Sequence, residues 1–247
     1  MYTNKKKMDT SKELSQIWEK YDNRFSERVQ QVLNRKYVYA CPQKKDILIT
    51  GINPSFNDGD LLELPRNSYC FSAPDFETNR HYKKIDKRLG ANRVNADYLD
   101  VLYYRDNRQT FFDVIRKEGA HGLSFLAEQV RLSQQIVEDL SPKLIIVMYA
   151  PFVWGKNARI KKSGQWSNVW MGYTFEHLNV PEIHCGEVCR ITGLIDSAER
   201  VSHDSIKETK LKGTIVLFTT MSRYQKSEKR LTPEQVEVLY QFAKKQR

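Results

Sequence analysis

The run Leu144-Ile145-Ile146-Val147-Met148-Tyr149 limits most strongly what this chain can fold into. It has no polar alternation, so it offers no face to water and reads as a strand covered on both sides, the pattern of strands in parallel sheets. Ahead of it, Leu126, Val130, Ile136, Val137 and Leu140 recur at helical spacing from Ser124, and Pro142 ends that helix. Three further runs behave similarly. Ile47–Thr50 lies between Lys44-Lys45-Asp46 and Gly51, Tyr98–Tyr104 is rich in β-formers with Asp100 as its one charged interior residue, and Thr214–Thr219 is apolar between threonines. Apolar strands alternating with helices predict an α/β fold of three layers, α/β/α, around a central, mostly parallel, four-stranded sheet.

The flanking helices are also marked. Thr10 with Glu13 has the form of a capping box, and Leu14, Ile17, Trp18, Tyr21, Phe25, Val29 and Val32 then predict an amino-terminal helix over about 10–35. At the other end Thr232 is the expected N-cap, Pro233 lies in the first turn and Gln235 is the box partner, with Val236, Val238, Leu239 and Phe242 on the inner face. Segments 56–97 and 150–210 read as long, irregular rim loops on a single domain spanning 1–247. Ligands of open α/β sheets bind at the carboxyl ends of the strands, where the loops after the first and third strands fall.

Composition removes several classes. With 40% hydrophobic residues over 247, the chain can bury a sizeable core and is not a disordered polyelectrolyte. There is no stretch of about 20 apolar residues to span a bilayer. The basic start, with Lys5-Lys6-Lys7, runs into Asp9, Lys12 and Glu13 without the apolar core of a signal peptide. Cys41, Cys70, Cys185 and Cys189 are too few for a secretory disulfide framework. The expected setting is therefore intracellular, reduced and cytoplasmic, with a monomer favoured. A net charge of +10 and a pI near 9.3 favour a polyanionic partner, DNA or another nucleic acid, through counterion release; solubility alone would also account for them.

The sharpest local feature is Ile49-Thr50-Gly51-Ile52-Asn53-Pro54-Ser55-Phe56. A buried strand ends at a glycine, where backbone can approach a ligand closely, and Pro54 biases Asn53 toward an extended conformation. An asparagine held there could orient a water or read a base edge, because its amide both donates and accepts. The same residues are turn-formers, and an ordinary turn is the other reading.

Gly51-Ile52-Asn53-Pro54 resembles the first active-site motif of the mismatch-specific and single-strand-selective branches of the uracil-DNA glycosylase superfamily, although Ser55 stands where those branches have glycine. The resemblance implies that Asn53 positions the attacking water, that Gly51, Ile52, Pro54 and Ser55 shape the base pocket, and that Phe56 stacks on a flipped base. Tyr98-Leu99-Asp100-Val101 through Arg105 is similar to the family's second strand, with Asp100 where an asparagine reads the pyrimidine edge. A carboxylate only accepts hydrogen bonds, so Asp100 suits an exocyclic amino group better than a carbonyl. In a shifted register Asp106-Asn107 would serve instead. After Ile215–Phe218, the family's wedge loop would correspond to Thr219-Thr220-Met221-Ser222-Arg223-Tyr224, without its usual histidine and proline. Ser222, Arg223, Tyr224 and Lys226 are then the expected nucleic-acid contacts; a solvated basic loop is the alternative.

Other motifs add little. Cys185 and Cys189, beside His184, lack the paired thiolates of a cluster site. The five histidines show no HExxH spacing, and GxGxxG, GxxxxGK[ST] and GxSxG are absent. No metal and no cofactor is expected. Trp154-Gly155-Lys156, Lys161-Lys162, Trp166 and Trp170 interleave aromatic and basic residues, as base-stacking surfaces do, or belong to the core. The expected function is hydrolysis of the N-glycosidic bond of a flipped, damaged or mismatched base. The alternatives are an inactive nucleic-acid-binding member of the same fold and a protein that takes free nucleosides or another small ligand.

Overall fold

The strand-forming runs assemble into one sheet in a computed structural model that describes residues 9–57, 59–60, 62, 67–71, 80–108, 110–156, 169–220 and 229–246. In chain order the strands are β1 (Tyr39–Ala40), β2 (Ile47–Gly51), β3 (Ser68–Tyr69), β4 (Ala96–Asp100), β5 (Leu144–Val147), β6 (Tyr173–Leu178), β7 (Gly186–Leu194) and β8 (Ile215–Thr219). The helices are α1 (Thr10–Tyr21), α2 (Glu27–Leu33), α3 (Arg80–Leu89), α4 (Phe111–Arg116), α5 (Ala120–Leu140), α6 (Pro151–Trp154) and α7 (Pro233–Lys245). The main sheet has six strands in the order β4-β2-β5-β8-β7-β6, and β1 pairs with β3 apart from it. The first four run parallel, and β7 and β6 join them antiparallel. The class is mixed α/β with a mostly parallel sheet.

Both faces of the parallel strands are covered, which is why β2, β5 and β8 show no polar alternation, while β4 buries Asp97 and Asp100 among its five residues. Leu48, Leu99, Ile145, Val147 and Val216 pack toward α1, α2, α4 and α5. Ile47, Ile49, Tyr98, Leu144, Ile146 and Leu217 pack toward Ile85 and Leu89 of α3 and Val236 and Leu239 of α7. The carboxyl ends of the parallel strands, Gly51, Asp100, Val147 and Thr219, fall along one edge.

Four expectations need correction. The sheet has six strands rather than four, because part of the segment read as an irregular loop forms the β6–β7 hairpin. Its residues are largely half-exposed, and Arg190 pairs with Glu176 across it at 3.1 Å, so it has no continuous apolar run to signal it. The run from Tyr98 leaves the sheet after Asp100, and its continuation bonds to the loop after β2, Leu102 N donating to Ile52 O at 2.9 Å. The amino-terminal helix is two helices: the chain turns between α1 and α2, with Asn23 at a positive φ of 54°. Its cap is Asp9, whose carboxylate accepts from Lys12 N at 3.2 Å, one residue ahead of the expected Thr10. The Thr232–Gln235 capping box of α7 is present as expected. Trp154 and Trp170 are fully buried, against Tyr173 and Phe112, and belong to the core rather than to a stacking surface; Lys161, Lys162 and Trp166 lie outside the described residues. No helix among the described residues is long and apolar enough to cross a membrane.

Phe125 of α5 joins the amino-terminal helices to this core, taking Trp18, Tyr21 and Phe25 against its ring at 5.1, 5.4 and 5.6 Å. Phe125→Ala should lower the unfolding free energy in urea by about 3–5 kcal/mol. A loss below about 1 kcal/mol would show that α1 and α2 do not depend on this contact.

Candidate functional site

The parallel register of β2 and β4 sets Gly51 beside Asp100 at the carboxyl edge. Tyr98 and Asp100, two residues apart on one strand, share a face, and Tyr98 Oη donates to Asp100 Oδ1 at 2.7 Å. Tyr69 of β3 donates to the other oxygen, Oδ2, at 2.6 Å. Tyr82 of α3 is hydrogen-bonded to Tyr69 in turn. A Cβ at residue 51 would collide with both the Tyr98 hydroxyl and the Asp100 carboxylate, so the glycine is what lets this pair sit over the neighbouring strand.

The loop that follows Gly51 is tied to the segment that follows Asp100. Val101 N donates to Gly51 O at 3.3 Å, Leu102 N to Ile52 O at 2.9 Å and Asp106 N to Pro54 O at 3.1 Å. Asn53 adds its side chain, with Nδ2 donating to Asp106 O at 2.7 Å and to Pro54 O at 3.0 Å. Its Oδ1 has no hydrogen-bond partner among the described residues. Asp106 is itself buried and fixed, accepting from Arg35 at 2.7 Å and from Arg108 N at 2.8 Å. Phe56 lies against the guanidiniums of Arg35 and Arg105, at 4.6 and 4.7 Å from its ring centroid.

These segments enclose a cavity of about 260 Å³. Gly51, Ile52, Asn53, Pro54, Ser55 and Asp100, all singled out from the sequence, line it together. So do Asp106 and Asn107, which makes the two registers considered for the second strand parts of one site. Phe56 is not in the lining; its ring is held in the arginine cluster. Ser222, Arg223, Tyr224 and Lys226 lie outside the described residues. A larger hollow of about 430 Å³, bordered by Trp18, Gln30 and Tyr37, contains none of the carboxylate network.

His81, Tyr82, Tyr98 and Tyr149 complete the lining, with Tyr69 behind Asp100. None of them was a sequence candidate. The spacing of Tyr98 and Asp100 on one strand was the only local signal, and it becomes informative once that strand is known to end at the carboxyl edge.

The electrostatics follow from burial. Asp100, 2% exposed, has its carboxyl pushed up from 3.8 to about 6, desolvation outweighing the two tyrosine hydrogen bonds that favour the anion. Burial and then the Asp100 charge hold the Tyr69 and Tyr98 hydroxyls well above their ordinary range, so both stay protonated and keep donating. His81 sits at the exposed rim, beside Tyr82 and Tyr98 at ring separations of 5.3 and 6.3 Å. Desolvation on its protein side, then the charge of Lys84, shifts it toward the neutral imidazole. Perturbed groups gathered in one concave site at a strand edge make this cavity the candidate functional site. All four cysteines are free, and no group of three or more His, Cys, Asp or Glu among the described residues could hold a metal ion. Neither protein-family models nor curated proteins match this chain.

Asp100 ties the site to stability. Its folded-state pKa lies above the unfolded value of 3.8, so the folded protein holds the proton more tightly and the stabilising form is the protonated one. That contribution is complete below the unfolded pKa and is lost as pH rises through about 6. Relative to Asp100→Asn, the wild-type protein should gain roughly 2–3 kcal/mol of unfolding free energy between pH 7 and pH 4. Urea titrations at both pH values check this, and a constant gap would contradict the buried, titrating carboxyl.

Proposed function

We propose that the cavity is a nucleobase site and that the protein is a DNA glycosylase-like hydrolase of N-glycosyl bonds, on a fold related to the uracil-DNA glycosylases. The observation that carries this reading is the meeting of Asn53 and Asp100, from the ends of two adjacent parallel strands, in one small cavity. Its volume of about 260 Å³ lies just below the ~300–1,000 Å³ of drug-sized ligand pockets, which suits a single base better than a dinucleotide cofactor.

Each group has a role that its geometry supports. The two carbonyls that fix Asn53 Nδ2 leave Oδ1 as an acceptor for a water. That water bonds to C1′ of the sugar as the glycosidic bond electrons leave with the base nitrogen, and its surplus proton passes to solvent or to the departing base. Tyr82 and Tyr149 offer aromatic walls for the base, the part the sequence had given to Phe56. Flipping a base out of a duplex costs a few kcal/mol. Backbone contacts must offset that, and a net charge of +10 favours them. Ser222, Arg223, Tyr224 and Lys226 remain the proposed contacts to the strand. DNA is the proposed partner, and four free thiols fit a reduced, cytoplasmic setting; action as a monomer is part of the same reading.

A second reading, a binding protein without hydrolysis, is favoured by a carboxylate standing where the resembled family places an asparagine. One experiment separates the two. The pure protein is incubated with single- and double-stranded oligonucleotides carrying uracil, mismatches or common base lesions, and abasic sites are cleaved with alkali. Strand scission that falls at least ~100-fold in Asn53→Ala is expected for a group that positions the water. Shifted gel mobility at low salt with no scission on any substrate would leave the binding protein.

A further inference from the structure

Asp100 presents its carboxylate to the cavity with a defined hydrogen-bonding capacity. A carboxylate has about four lone-pair sites and no proton to give when ionised. Tyr98 occupies one site on Oδ1 and Tyr69 one on Oδ2. That leaves one acceptor site on each oxygen of a carboxylate that lines the cavity. Because the tyrosines use their protons on Asp100, they are not free to convert this edge into a donor. Asp100 therefore offers the cavity acceptor capacity on both of its oxygens.

We propose that this pair of acceptors selects a base with two adjacent N–H donors on one edge, the guanine-type edge formed by N1–H and the exocyclic 2-amino group. The proposal rests on reading the cavity as a nucleobase site, and it names the class of base that site takes. The guanine edge meets both oxygens with a donor. Adenine and cytosine place a ring nitrogen lone pair next to their amino group, so one carboxylate oxygen would face a lone pair. Uracil and thymine flank their single N–H with carbonyls, which sets a carbonyl oxygen against the carboxylate. Buried polar groups left facing like partners are the strongest source of discrimination in such sites. On the same lining, the amide of Asn107 carries N–H groups able to donate to a purine carbonyl. Guanines altered away from this edge, by oxidation at C8 or alkylation at N7, keep both donors and belong to the class.

The test uses capped bases that mimic the glycosidic linkage and need no catalysis. Binding of 9-methylguanine, 9-methylhypoxanthine, 9-methyladenine and 1-methyluracil to the whole protein is measured by calorimetric titration at pH 7.5. Removing the 2-amino group, as in the hypoxanthine, should weaken binding roughly 10- to 100-fold, the effect of one hydrogen bond to a charged group. The adenine and uracil analogues should bind more weakly still. Asp100→Asn, with its fold checked by circular dichroism, should bring the guanine and hypoxanthine analogues within about threefold of each other. If that variant does not fold, the wild-type ranking decides alone.

Equal binding of the guanine and adenine analogues, a ranking that survives Asp100→Asn, or no binding of any analogue overturns the proposal. Its failure is distinguishable from failure of the hydrolase reading. Base release from DNA without a guanine preference retains the hydrolase and removes this specificity. A guanine preference without base release retains the specificity and removes the hydrolase.

Discussion

A carboxylate buried at the end of a strand must be given hydrogen-bond donors, and Asp100, at the end of the edge strand β4, is given them by its own strand and by β3. Leaving it without partners would expose the full desolvation cost of a charge. The donors are neutral hydroxyls, Tyr98 from the same strand and Tyr69 from β3. Neutral donors soften the burial cost without cancelling it, which is why the carboxyl still titrates near 6. The arrangement needs room over the neighbouring strand, and the glycine at 51 provides it. Strand register, a small residue and two tyrosines thus form one mutually dependent unit.

Asp106, the second buried carboxylate nearby, is handled differently. Arg35 and Arg108 pair with it directly, at 2.7 and 3.4 Å, and its backbone carbonyl holds the Asn53 amide. Charged partners and a shared backbone make Asp106 a brace for the loop after β2, whereas Asp100 keeps acceptor capacity for the cavity. The ring of Phe56 against Arg35 and Arg105 stiffens the same brace, since guanidinium–aromatic contacts add about 0.5–2 kcal/mol depending on desolvation. Two acidic residues a few positions apart therefore do distinct work because their partners differ.

Much of this was legible in the sequence, for physical reasons that differ by element. β2, β5 and β8 are covered on both faces, so burial left nearly continuous apolar runs that betray them, whereas β4 carries Asp97 and Asp100 among its five residues. The capping box of α7 was readable because it is local chemistry, a hydroxyl and an amide three residues apart. The β6–β7 hairpin was not readable, because its half-exposed residues mix polar and apolar with a bulge between Thr174 and Phe175. The break between α1 and α2 was hidden because their inward residues keep helical spacing across it. In the site, the Asn53 loop and the lone charge of Asp100 stood out against their apolar surroundings. The tyrosines did not, since an aromatic side chain in an apolar context reads as core until its hydroxyl is seen to find a partner.

The sequence by itself determined which segments bury both faces, and with that a mostly parallel sheet whose strand ends bear Asn53 and Asp100. Local pattern suffices for this, because burial acts on each residue and leaves its trace in that residue's type. Only the tertiary structure decided which groups gather around Asp100 and the cavity it lines. Tyr69 is 31 residues away along the chain, and Tyr82 and His81 come from a helix on the sheet's face. Their meeting depends on strand register and helix packing, which are set by contacts summed over the whole core rather than by any stretch of neighbouring residues.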